Sequence, residues 1–222
     1  SNWVPEVPVA LEFDGLSYAV MMATPSDLED FTRGFALTEG LAKTVHDITD
    51  IAVAKVALGC IVRARLGGLG MEKLTERLRT RVAESSCGLC GIENLEAVNA
   101  PLPKVAAHRK LDPKAIFQAL GRLRDHQPLN RRTGAAHAAA FCTPEGEILH
   151  AREDVGRHNA MDKLVGALAG AGLDTSAGFI LSSARCSYTE MAVERAKAAG
   201  LSLWCLARDD SVLCVNDGST SD

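Results

Sequence analysis

From residue 137 onward, strand-length apolar runs alternate with helix-length stretches, and this order limits how the chain can pack. "AAHAAAFCT" and "EILHARE" read as strands joined by a turn at Pro144 to Gly146. "NAMDKLVGALAGAG" reads as a helix ending at Gly170 or Gly172, "GFILSS" as a short buried strand, "YTEMAVERAKAAG" as a helix and "LSLWCLAR" as a strand. Each strand must bury a face and each helix a stripe, so the alternation predicts stacked layers. The predicted fold class is α/β for this half, a layered sheet, within an α+β whole.

The first half follows a different order. "LEFDGLSYAVMMATPSDLEDFTRGFALTEGL" reads as a hairpin turning at Asp14-Gly15, followed by a helix. Thr24 is placed as the helix cap and Pro25 at the first helical position. Asp27, Glu29 and Asp30 sit at the positive end of the helix dipole. Leu28, Phe31 and Phe35 share a face, and Gly40 stops the helix. "DIAVAKVALGCIVRARL" reads as one or two strands around Gly59, and "MEKLTERLRTRVA" as a helix with Leu74, Leu78 and Val82 on one stripe. Pro101 and Pro103 mark a linker, and Asp112-Pro113 opens a helix carrying Ile116, Leu120 and Leu123. The chain of 222 residues is long enough for two such units. The predicted division is an N-terminal α+β domain, residues 1–104, and a second domain, residues 105–222.

A chain with 47% hydrophobic and 23% charged residues can build a core without metal or disulfide staples. Only 5% of residues are aromatic and the net charge is -4, which argues against a nucleic-acid partner. No apolar run is long enough to span a membrane, and no cleavable signal pattern is present. The cysteines number seven, an odd count, and Cys60, Cys142 and Cys205 lie inside apolar runs. Reduced thiols in a cytoplasmic setting are expected.

Five stretches could carry chemistry. "CGLCG" spaces Cys87 and Cys90 two residues apart, with Gly88 between them and Gly91 just after. Such a pair can form half of a zinc site, exchange disulfides, or hold a persulfide on one sulfur and release it by attack from the other. "RRTGAAH" places Arg132, Thr133 and Gly134 before His137; guanidinium forks suit phosphate oxygens, while the plainer reading is a charged loop beside a buried, hydrogen-bonded histidine. "AREDVGRHNAMDKLVG" packs Glu153, Asp154, Gly156, Arg157, His158, Asn159, Asp162 and Lys163 around a strand-to-helix junction. Backbone amides at such a start can hold an anion. His158 and Asp162, four apart, could pair. The plainer reading makes Asp154 the cap and leaves the rest solvated. "ILSSARCS" ends a strand in Ser182, Ser183, Arg185 and Ser187, where ligands of layered sheets often lie. Finally, "LWCLARDDSVLCV" reads as two strands about Leu206, Ala207, Arg208, Asp209, Asp210 and Ser211.

Taken together, "TPSDLEDFTRGFALTEG", "CGLCG", "RTGAAHAAAF", "EDVGRHNAMDKLVGA" and "SSARCS" resemble the FdhD family, formate dehydrogenase accessory sulfurtransferases. The resemblance implies a cytidine-deaminase-like second half and a homodimer. It implies a sulfur relay: a cysteine desulfurase loads a persulfide on Cys87, and Cys90 assists its transfer. The acceptor is the molybdenum of a bis(molybdopterin guanine dinucleotide) cofactor destined for formate dehydrogenase. That cofactor is bound as substrate, GDP mimics part of it, and no zinc is involved. By the same analogy the polar residues from Arg132 to Ser187 and the turn Leu206 to Ser211 contact the cofactor. Arg132, Arg157, Arg185 and Arg208 are the candidates for its phosphates.

The chain departs from the family pattern in three places. Ala184 stands where the family has a glycine, and the turn at Arg208 also lacks one. About one helix and one strand of the family are missing near Tyr188, on the scale of a β-α unit. The rival readings are a zinc deaminase, a non-catalytic cofactor chaperone and a thiol redox sensor. The deaminase needs an H-x-E and a later P-C-x-x-C. Here Ala138 and Ala139 follow His137, and no such cysteine pair comes after.

Overall fold

The structure is a computed structural model that describes residues 3–68, 70, 72–76, 104, 111–183, 190–199, 202–205 and 211–216. It opens with the hairpin β1 (Val7–Phe13) and β2 (Leu16–Ala23). Asp14 and Gly15 both take positive φ, 51° and 82°, as the tight turn between them requires. The helix α1 (Leu28–Thr38) follows, then β3 (Ile48–Val56) and β4 (Gly59–Leu66). The sheet order is β2-β1-β4-β3, with β1 and β4 parallel and the other pairs antiparallel. One face of this sheet carries Val9, Leu11, Phe13 and Val62, all fully buried against Phe31 and Phe35 of α1. Phe13, Tyr18, Phe31 and Phe35 pack as an aromatic cluster with centroids about 6 Å apart.

The second half begins with α2 (Pro113–Leu123). Asp112 caps it, accepting from the Lys114 amide at 2.9 Å. The short helix α3 (Pro128–Thr133) comes next, then β5 (His137–Cys142), β6 (Ile148–Asp154), α4 (Arg157–Gly170) and β7 (Phe179–Ser182). β5 is the central strand, antiparallel to both β6 and β7. Alternate residues of β5 serve two cores. Ala138, Ala140 and Cys142 pack with Ala119 and Leu123 of α2, and Ala139 and Phe141 pack with Ala160, Leu164 and Leu168 of α4. The sheet is thus covered by a helix on each face. Beyond it lie α5 (Glu190–Ala199) and the antiparallel pair β8 (Leu203–Cys205) and β9 (Leu213–Asn216).

α4 presses its other side against α1, which joins the two layered systems. The helices meet through glycines. A methyl group on Gly34 would collide with the Asp162 carbonyl, and one on Gly166 with the Asp30 carbonyl. Backbone therefore lies directly on backbone at the crossing. Around it, the Arg152 guanidinium donates from Nε and Nη2 to one oxygen of Asp30 at 3.0 and 2.8 Å. The Thr38 hydroxyl donates to Asp162 at 2.9 Å.

Three expectations are corrected locally. Thr24 does not cap α1, which starts at Leu28 after Asp27; Thr24 is buried and bonded to the second half instead. Residues 128–133 form a helix where the sequence shows only a charged loop, because the groups that satisfy its first amides come from Glu153. Asp162 bonds Thr38 of α1 rather than pairing with His158. The predicted boundary falls at Lys104, and residues 105–110 lie outside the described residues.

The crossing gives a direct test. Gly166→Ala should cost about 3 kcal/mol or more in urea denaturation, since backbone rather than a flexible side chain must move. Gly121→Ala, in open space on α2, should instead be neutral or gain up to about 1 kcal/mol. Equal effects from the two substitutions would contradict the close approach.

Candidate functional site

The topology gathers the polar motifs at one end of the three-stranded sheet. β5 starts there at His137, while β6 ends at Asp154 and β7 ends at Ser182. α4 departs from the same end. The centre of this cluster is an ion pair: Lys163 Nζ stands 2.6 Å from Asp154 Oδ2, and both side chains are 0% exposed. Two buried charges are tolerated only when their remaining polar atoms are satisfied. Here they are. Asp154 also accepts from the Thr24 amide at 3.0 Å, the Gly156 amide at 2.8 Å and the Asn159 Nδ2 at 3.0 Å. Lys163 also donates to the carbonyls of Thr24 at 2.9 Å and Glu153 at 3.5 Å. Asn159 reaches across to the Met22 carbonyl at 2.8 Å. The Val155 amide donates to the Thr24 hydroxyl at 3.1 Å. The end of β2 is thereby clasped to the start of α4.

Gly156 sits at the N-cap of α4 with extended backbone. A Cβ there would crowd the Asn159 amide, so the glycine lets Asn159 fold back onto Asp154. Arg157 and His158 then project from the first turn, both exposed. Partial desolvation, together with the charge of Arg157, holds His158 below the ordinary histidine value. Glu153 is buried, and its two oxygens accept from the amides of Leu129 and Asn130 at 2.7 Å each. That carboxylate does for α3 what a local N-cap would do, and complements its dipole. Thr133 donates to the Leu129 carbonyl at 2.9 Å, and Gly134, at φ 66°, ends the helix.

Between α3, β6 and the segment before α1 lies a half-open cleft of about 400 Å³. Its lining combines Pro5 and Thr24, Pro25, Ser26 and Asp27 with His126, Pro128, Leu129 and Arg132, and with Ala151, Arg152 and Glu153 of β6. The cleft takes Arg132 and Glu153 from the residues singled out in the sequence, but not His137, Arg157 or His158. Burial, meanwhile, pushes the Cys142 thiol up to about 12, which makes it inert at neutral pH.

The sequence pattern of the FdhD/NarQ family matches residues 4–189. The chain belongs to the FdhD/NarQ family. Among its relatives, a protein of Variovorax paradoxus named sulfur carrier protein FdhD is 44% identical over 188 residues, covering 84% of this chain and 68% of that one. A protein of the same name from Bordetella petrii is 41% identical over 198 residues, covering 89% of this chain and 70% of that one. The fold resembles a crystal structure from Desulfotalea psychrophila, described as a candidate formate dehydrogenase accessory protein. The TM-score is 0.72 at 20% identity, over 96% of this chain and 87% of the other. The FdhD/NarQ match ends at residue 189.

Within this family framework the sequence-derived residues fall into three groups. Asp154, Asn159, Lys163 and Gly156 form the clasp, and Glu153, Thr133 and Gly134 shape α3. Arg132, Arg157 and His158 are exposed, and His137 is half-buried at the start of β5 with no side-chain hydrogen bond among the described residues. Ser183 accepts from the Ala138 amide at 2.8 Å, extending the β7 edge, while Ser182 and Ser211 are exposed. Cys87, Cys90, Arg185, Ser187 and Leu206, Ala207, Arg208, Asp209 and Asp210 lie outside the described residues. Sequence reasoning missed Thr24 as a bridging residue and Asp27 as a cleft residue. Both stand in "TPSDLEDF", where their chemistry reads as ordinary helix capping.

Two variants probe this geometry. Lys163→Met strands a buried Asp154 charge and should cost about 3–5 kcal/mol in urea denaturation; a loss below about 1 kcal/mol would contradict the clasp. Burial raises the Asp162 carboxyl to about 6, opposed by the Thr38 hydroxyl and reinforced by the charge of Glu39. A raised value means that the unfolded chain ionises more readily, so this group's contribution is present below about pH 4 and lost as pH rises through about 6. Asp162→Asn should therefore match the parent near pH 4 and exceed it by about 1–2 kcal/mol above pH 6.5, allowing for its partial exposure. A pH-independent difference would contradict the assignment.

Proposed function

We propose that this chain carries sulfur from a cysteine desulfurase to the molybdenum of a bis(molybdopterin guanine dinucleotide) cofactor, in the cytoplasm and as a homodimer, for the maturation of formate dehydrogenase. The observation that carries the reading is the family match over residues 4–189, which includes the Cys87 and Cys90 pair together with "EDVGRHNAMDK". The shared name of the relatives, sulfur carrier protein, supports the same chemistry.

The chemistry divides into two exchanges. The Cys87 thiolate attacks the terminal sulfur of the desulfurase persulfide; a new S–S bond forms on Cys87, and the desulfurase thiolate leaves. The Cys90 thiolate then attacks Cys87 Sγ. A Cys87–Cys90 disulfide forms, and the carried sulfur departs, reduced to sulfide, onto the metal. A cellular dithiol restores the pair. Gly88 between the thiols and Gly91 after them allow the backbone the freedom that meeting two partners in turn requires. Arg132, Arg157, Arg185 and Arg208 are the cations proposed for the cofactor phosphates, and GDP serves as a partial mimic.

Incubation with a cysteine desulfurase and isotopically labelled cysteine, followed by peptide mass spectrometry, tests the proposal. The label should sit on Cys87. Cys87→Ala should abolish loading while GDP affinity stays within about twofold, because thiols and phosphate-binding residues act separately. A labelled adduct on another cysteine would overturn the assignment. A chain that binds GDP and never acquires label would instead be a chaperone for the cofactor.

A further inference from the structure

The arginines of this chain divide into two sets. Arg33, Arg63, Arg65 and Arg152 each meet a carboxylate, at distances from 2.7 to 3.4 Å. Arg122 and Arg124 are exposed and have no acidic partner among the described residues. They lie on the last turn of α2 and on the single 3₁₀ turn that follows it, Arg124–His126. Lys114, Gln118 and Arg122 stand four residues apart and are all exposed, so they share one outer face of α2, while Ala115, Ile116, Ala119 and Leu123 are buried. Arg131 extends the band: its Nη1 donates to the Asp125 carbonyl at 3.1 Å, which sets it beside the 3₁₀ turn. From Leu111 to Thr133 the chain has five cations and two carboxylates, within a whole of net charge -4. Asp112, one of the two, is engaged in capping α2. Dipole complementarity accounts for Arg122 and Arg124 at the end of α2, but not for Lys114, a cation in its first turn.

A second observation falls on the same surface. Gly121 stands inside α2 next to Arg122, and glycine weakens a helix relative to alanine. Gly34 and Gly166 are explained by the backbone that lies against them, but a Cβ on Gly121 would meet nothing within 4 Å. No packing within the chain calls for a bare backbone there. A flat stretch of helix flanked by cations lets another surface approach closely. That surface must carry negative charge. A protein fits better than a nucleic acid, because Asp112 and Asp125 are exposed within the band. A phosphate backbone would be repelled by both, whereas a protein can set a cation against each.

We infer that the outer face of α2, from Lys114 to Arg124, docks a carboxylate-rich surface of another protein, the enzyme that receives the cofactor. The band leads along α2 and the 3₁₀ turn to His126 and Arg132, which both line the cleft. A protein seated on it stands beside a residue proposed for the cofactor phosphates. The inference rests on the sulfur-transfer reading for the identity of that enzyme, and it adds the surface that holds it.

Biolayer interferometry of the full chain against cofactor-free formate dehydrogenase tests it, with a mixed-sequence DNA oligonucleotide as the competing polyanion. The parent should bind the apoenzyme, and raising the salt from about 50 to about 200 mM should weaken binding at least roughly tenfold as exposed charges are screened. The double substitution Arg122→Glu and Arg124→Glu should weaken it by a similar factor. Gly121→Gln should weaken binding at least roughly fivefold, because the added side chain holds two close-packed surfaces apart. Its urea midpoint should stay level or rise, since glutamine favours the helix. Arg65→Glu, on β4, should leave affinity within about twofold. Unchanged binding in the double variant or in Gly121→Gln would overturn the docking surface, as would a parent that ignores the apoenzyme or prefers the oligonucleotide. Loading of labelled sulfur on Cys87 is read separately in the same variants. Loading at the parent level with unchanged apoenzyme binding sinks the surface and leaves the sulfur reading standing. Failure of the parent to load label overturns the sulfur reading, whatever the docking result.

Discussion

The fully buried pair of Lys163 and Asp154 is the interaction on which the rest of the geometry depends. Moving two charges out of water is costly, and their attraction offsets that cost only when every other polar atom finds a partner. The groups that provide those partners come from both halves of the chain. The Thr24 amide and carbonyl lie about 130 residues away in sequence from the atoms they meet. The pair is therefore satisfied only when the end of β2, the end of β6 and the first turns of α4 are assembled together. A fold in which one half forms alone would leave a buried charge short of partners.

From this clasp the other features follow in order. Fixing the start of α4 sets its long axis, and the axis brings Gly166 onto the Asp30 carbonyl and Asp162 under Thr38. Fixing Thr24 sets the course of the next residues, so Asp27 reaches the cleft wall rather than the helix amides. Glu153, the residue before Asp154, is simultaneously the cap of α3 and thereby aims Arg132 at the same cleft. The polar motif that looks in sequence like a ligand-binding helix start is mostly internal. Its outward members, Arg157 and His158, are held on a rigid base.

Much of the fold is legible in the sequence because its signals are local. Asp14-Gly15 gives the hairpin, Asp112-Pro113 opens α2, and alternating residues of "HAAAFC" give the two-sided strand β5. The parts that are not legible depend on distant partners. Residues 128–133 carry no side-chain cap of their own, so their helix is visible only once Glu153 is placed. Asn159, Lys163 and Gly166 fall on one helix face, and polar residues at that spacing read as solvated until a second layer covers them. Asp27 looks like a favourable charge at a helix start, and nothing local reveals its left-handed backbone. The spacing of Cys87 and Cys90 leaves zinc, redox and persulfide chemistry open, and both residues lie outside the described residues.

The clasp joins the two layered systems into a single cooperative unit, and native-state hydrogen exchange measures that directly. In the parent protein the slowest amides of β1 and β4 and those of β5 and β6 should open with the same free energy. Lys163→Met should lower protection in both sheets by the same amount. If the substitution weakens β5 and β6 while β1 and β4 keep their protection, the clasp does not hold the molecule together and the account is wrong.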